Sequence, residues 1–149
     1  MCIRIAILLF ALLWATPTTA QTEYPLRGSG SSQTTDIYAG ATFDYVEYEV
    51  FGQLTVLGPF CAFGSQLVDC TDGVVVAGEV TFSDAAGAFN TLTLRYAGVA
   101  GPDGVLLCIF TMTAGTGRYE GATGEGLLAF NYSPQLPFDF ALDGVLYLP

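Results

Sequence analysis

The chain has 149 residues, room for one domain, and sets 14 Asp and Glu against four Lys and Arg for a net charge of −10. So acidic a surface is repelled by nucleic-acid phosphates and by anionic lipid headgroups, which argues against nucleic-acid and membrane partners. Histidine is absent, which removes the commonest catalytic base and zinc ligand, and with them the usual Ser-His-Asp, Cys-His and His-metal constellations.

The N-terminus has the grammar of an export signal. A single Arg4 precedes an apolar stretch from Ile5 to Trp14, and Ala15-Thr16-Pro17-Thr18-Thr19-Ala20 ends on small residues. About ten apolar residues cover only about half of a ~30 Å hydrocarbon core as a helix, too little for an anchor. Residues 1–20 are therefore predicted to be a signal peptide cut before Gln21, and residues 21–149 a single domain that is secreted or periplasmic. Cleavage removes Arg4 and Cys2, leaving Arg27, Arg95 and Arg118 against all 14 carboxylates, and three cysteines.

From Gln21 onward, runs rich in Val, Thr, Tyr, Phe and Leu recur between glycine and aspartate turns, without helical period. Eight strands are predicted, at 23–31, 44–56, 59–66, 73–82, 88–97, 104–113, 123–132 and 138–148. Turns are expected at Asp72-Gly73, at 84–87, at 101–104 and at 133–137. Glycines inside strands, at Gly78, Gly124, Gly126 and Gly144, suit the bends of a small closed barrel. The predicted fold is all-β, an eight-stranded antiparallel barrel of calycin-like architecture, with a two-sheet sandwich as the structural alternative.

Alternation assigns faces along these strands. In the second, Tyr45, Glu47 and Glu49 oppose Val46, Tyr48 and Val50, giving an acidic outer face. The third strand opens near Cys61 and is followed by Cys70, and these two are expected to pair as a disulfide in an oxidising compartment. The fourth holds Glu79 within the apolar run from Val74 to Phe82, where a buried carboxylate would have a raised pKa suited to proton transfer; the alternative places Glu79 in solvent opposite Arg95. In the fifth, Leu92, Leu94 and Tyr96 oppose Thr91, Thr93 and Arg95. In the eighth, Phe138, Phe140 and Leu142 oppose Asp139, Ala141 and Asp143. The sixth is apolar on both faces from Val105 to Met112, as expected where core covers one side and a loop, a partner subunit or a ligand covers the other. Cys108 lies in that run and reads as a buried free thiol, with the nucleophile reading lacking a visible base. Asn131-Tyr132-Ser133 matches a glycosylation acceptor, disfavoured by Pro134.

The most distinctive segment is Gly115-Thr116-Gly117-Arg118-Tyr119-Glu120-Gly121-Ala122-Thr123-Gly124-Glu125-Gly126. It is no dinucleotide fingerprint, because Glu120 stands where the third glycine is needed and a strand follows, and it has no P-loop lysine. Flanked by strands, it resembles the hallmark of allene oxide cyclase-like and dirigent-like β-barrels. The resemblance implies that residues 115–117 turn tightly, that Tyr119 plugs one barrel end, and that Gly121, Ala122 and Gly124 let the chain re-enter the barrel closely. It identifies a barrel, and no functional residue is carried over from it.

Three functions follow for such a barrel. The leading one is a binder of a small apolar ligand, with Tyr48, Arg95 and Cys108 as lining residues and Glu47 also within reach. The second is a cofactor-free cyclase or isomerase using Glu79 as acid or base. The third is a structural surface protein with a filled barrel. No cofactor is implied, and a calcium site at Asp36 and Asp44 lacks the Asp-x-Asp-x-Asp-Gly loop. A homo-oligomer is compatible with all three.

Overall fold

Every predicted strand forms. The protein, seen here as a computed structural model, is described for residues 20–85, 89–131 and 138–149. The leader, the 133–137 turn and most of the Asn131-Tyr132-Ser133 acceptor lie outside those residues. The strands are β1 (Thr22–Tyr38), β2 (Phe43–Leu54), β3 (Gly58–Asp69), β4 (Val74–Asp84), β5 (Thr91–Ala100), β6 (Val105–Gly115), β7 (Thr123–Asn131) and β8 (Phe138–Leu148). β1 and β3 outrun their predicted ends. Residues 32–38 carry little apolar period, yet pairing from Ser32–Val50 to Tyr38–Tyr45 holds them extended against β2.

Each strand pairs antiparallel with the next, and β8 returns to β1 from Thr22–Leu148 to Ser32–Phe138, so the sheet is a closed up-and-down barrel and not a sandwich. Closure leaves no free sheet edge. Bulges in β1, β4 and β6 add the local twist that closing eight strands requires. No helix among the described residues is long and apolar enough to cross a membrane. The wall itself carries outward charge on β1, β2, β4, β5, β7 and β8, through Arg27, Glu49, Glu79, Arg95, Glu125 and Asp143, with apolar side chains inside. A membrane-spanning barrel has the opposite polarity.

The lumen is full. Tyr48 and Tyr96 each meet Phe130, with ring centroids 5.6 and 5.9 Å apart. Phe130 meets Phe140 at 5.6 Å, Phe140 meets Phe82 at 5.7 Å, and Phe82 meets Phe60 at 5.0 Å. Tilted and edge-on geometries of this kind are those aromatic pairs prefer. The strand glycines make room for the rings: a Cβ on Gly78 would stand 2.2 Å from Tyr96, and Cβ atoms on Gly126 and Gly144 would stand under 3 Å from Phe110. Their role is thus as much to seat side chains as to bend strands.

One end of the barrel is closed by the glycine-rich segment. A single 3-10 turn, Gly117–Tyr119, drops Tyr119 into the core, where its hydroxyl donates to the Val56 carbonyl. Arg118 donates to the same carbonyl at 2.6 Å and lies 4.8 Å from the Tyr119 ring centroid. Gly117 makes the turn possible with φ of +61°, a left-handed conformation that side chains disfavour.

Candidate functional site

The only three-residue polar chain described inside the lumen spans three strands. Tyr48 on β2 and Tyr96 on β5 meet hydroxyl to hydroxyl at 2.5 Å, and Tyr96 donates to Gln66 Oε1 on β3 at 3.1 Å. Because each phenol has one proton, Tyr48 is the donor to Tyr96. Cys108 on β6 is buried beside them. Burial pushes both phenols well above the usual tyrosine range, opposed at Tyr48 by its hydrogen bond with Tyr96, and burial alone pushes the Cys108 thiol up to about 12. The cluster is uncharged at neutral pH. It can donate and accept hydrogen bonds, but it presents neither a thiolate nor a phenolate. Ser32 Oγ on β1 is also buried and has no hydrogen-bond partner among the described residues.

Of the residues singled out from sequence, the structure puts Tyr48 and Cys108 inside and Glu79 and Arg95 outside. Glu79 Oε2 lies 2.9 Å from Arg95 Nε, with the two side chains 48% and 70% exposed. The burial that would have suited Glu79 to proton transfer is therefore missing, and Arg95 is no lumen residue. The cause is a bulge. Val75 pairs with Gly98 and Gly78 with Tyr96, so β4 spends three steps where β5 spends two, and the slip turns residue 79 from the inner to the outer face. Glu47 is outside as well. With Tyr45, Phe63, Ser65, Glu79 and Thr81 it borders a shallow surface hollow of about 340 Å³. Gln66 and Tyr96 were not singled out. Tyr96 could have been, since it shares the face of Leu92 and Leu94, whereas Gln66 follows Gly64 and Ser65 with no apolar period to mark it.

The expected Cys61–Cys70 disulfide is not formed; both are free, as is Cys108. Cys61 sits inside β3 and Cys70 just past its end. Nine steps along extended chain separate them by about 30 Å, far beyond the ~7 Å limit for bridging Cα atoms. Among the described residues no three His, Cys, Asp or Glu gather as a metal site.

The chain matches no known family profile and no curated protein. Among solved structures it is similar to a pterocarpan synthase dirigent protein, at 13% identity and a TM-score of 0.50 over 89% of this chain and 94% of that one. The fold is a dirigent-like β-barrel. At that identity the likeness carries the fold alone, and the allene oxide cyclase side of the resemblance is not shown. Inside this barrel, among the described residues, six rings run in a contacting series from Tyr48 and Tyr96 through Phe130, Phe140 and Phe82 to Phe60, and a tyrosine plugs one end.

Proposed function

We propose that the protein is an exported dirigent-like barrel that works through its outer wall, with its lumen serving as a packed core. The observation that supports this reading is the ring column from Tyr48 through Phe130 and Phe140 to Phe60, which occupies the space a ligand would need. Eight strands enclose an interior just wide enough to be filled by side chains. The cyclase or isomerase reading loses its acid, since Glu79 is on the wall.

The test is to empty the column. Phe130→Ala removes the ring that touches Tyr48, Tyr96 and Phe140 and should open a cavity in the core at a cost of about 3–5 kcal/mol. Calorimetric titration with benzene or indole should show saturable binding to Phe130→Ala and none to the native protein. Saturable binding of equal strength to both would defeat the proposal.

One observation favours a second reading, the small apolar ligand. The Tyr48–Tyr96–Gln66 chain, together with a Ser32 Oγ that has no partner among the described residues, puts polar groups in an apolar interior, as ligand sites do to orient a molecule. A ligand bearing one polar group would have to displace the Phe130 ring to reach them.

A further inference from the structure

The sixth strand is apolar on both faces, and among the described residues none covers its outer one. Outward from β5, β6 and β7 stand Ala97, Val99, Leu107, Ile109, Leu127 and Ala129. They are contiguous, because Val99 pairs with Leu107, Ala97 with Ile109, Ile109 with Leu127 and Leu107 with Ala129. Ile109 is 69% exposed, Val99 55%, Leu107 50% and Leu127 49%. None of the six is charged, on a chain of net charge −10. A contiguous exposed apolar patch on an exported protein marks an interaction surface.

From this arrangement we infer that the face is a homodimer interface, two copies packing β6 against β6 about a two-fold axis parallel to that strand. The inference stands whether or not the lumen holds a ligand. Two arguments choose a second copy as the occupant. Self-repulsion between copies is strong wherever carboxylates meet, so copies can approach only through a face without them. Moreover, the next row toward the plugged end reads Arg95, Thr111, Glu125 across β5, β6 and β7, one charge of each sign to either side of the proposed axis. Rotation about that axis lays Arg95 of each copy over Glu125 of the other, making two reciprocal ion pairs at the rim of the patch. Isologous contacts are built this way, with one surface meeting itself. The Arg95 side chain is 70% exposed beyond its contact with Glu79, so it can reach a partner.

A barrel wall is convex, so the contact is long along the strands and narrow across them. The buried area should fall at the small end of specific interfaces, below roughly 1,200 Å² in total, and the dimer should be reversible, with a micromolar dissociation constant. Aligned sheet-on-sheet packing is a standard solution for two such faces.

The test is sedimentation equilibrium of the purified protein from low to high micromolar concentration. A monomer–dimer equilibrium is expected in the native protein. Ile109→Asp should abolish it while leaving the urea midpoint within the range of a surface substitution, and the milder Leu127→Ser should weaken it in the same direction. Arg95→Glu and Glu125→Arg should each weaken the dimer by roughly tenfold or more, and the two together should restore much of it. A monomer at every concentration, a trimer or larger ring, or a dimer indifferent to Ile109→Asp would overturn the inference. Loss with both single charge reversals and no recovery in the double variant would overturn the two-fold arrangement.

Discussion

The Tyr96 ring lies where the Gly78 side chain would be: a Cβ on Gly78 would stand 2.2 Å from Tyr96 Cζ, and across the barrel wall a Cβ on Gly64 would stand 2.3 Å from Tyr48 Cζ. Each tyrosine sits directly opposite its glycine in the ladder. The pairing seats the two hydroxyls that meet in the lumen, so the glycines act through the rings they admit.

Gly78→Ala should therefore destabilise by about 1–3 kcal/mol through overpacking. The cost should shrink when Tyr96 is also replaced by Leu, which takes away the clash. Urea unfolding of both single variants and of the double closes the cycle, and additivity would show that ring and glycine are independent.

Alkaline pH should destabilise the protein. Burial pushes the Cys108 thiol up from its ordinary 9.0 to about 12, and it likewise raises the Tyr48 and Tyr96 phenols above their ordinary 10.0. Between those values the unfolded chain loses protons that the folded one keeps, so stability is fully present below pH 9 and falls as pH rises toward 12. Urea midpoints measured across that window should decline, and Cys108→Ala should flatten the early part of the decline. Midpoints independent of pH above 9 would contradict the neutral cluster.

Thiol reactivity should follow position along β3 and β6. Cys70 is exposed, Cys61 half-buried and Cys108 buried. Alkylation followed by mass spectrometry should label Cys70 first, Cys61 more slowly and Cys108 only on unfolding, with no Cys61–Cys70 bridge recovered from oxidised samples.

The barrel plug should be structural. Tyr119→Phe keeps the ring and loses the bond to Val56, at a cost of about 1 kcal/mol, whereas Tyr119→Ala opens the end and should cost about 3–5 kcal/mol. Gly117→Val should be worse than Gly124→Val per atom added, since φ of +61° and the nearby Asn90 Oδ1 both oppose a side chain there.

Much of this was legible in the chain. Alternation placed Leu92, Leu94 and Tyr96 on the inner face, and the Gly115–Gly126 pattern pointed to a dirigent-like barrel with Tyr119 as its plug. What escaped had local causes. The bulge between Val75 and Gly78 reverses the parity of β4, so an apolar run that reads as burying Glu79 presents it to solvent. β3 continues through Asp69, so two cysteines that look like the ends of a short segment lie far apart, one inside the strand and one just past its end. The tyrosine pair needs closure of the whole barrel to bring β2 and β5 together, and no spacing along the chain encodes that.

The most direct measurement is native mass spectrometry of the protein purified from its own host. A filled lumen predicts a mass equal to that of the polypeptide alone, in monomer and dimer alike. A small molecule retained in stoichiometric amount, and lost when Tyr96→Phe breaks the lumen hydrogen bonds, would contradict the packed-core account.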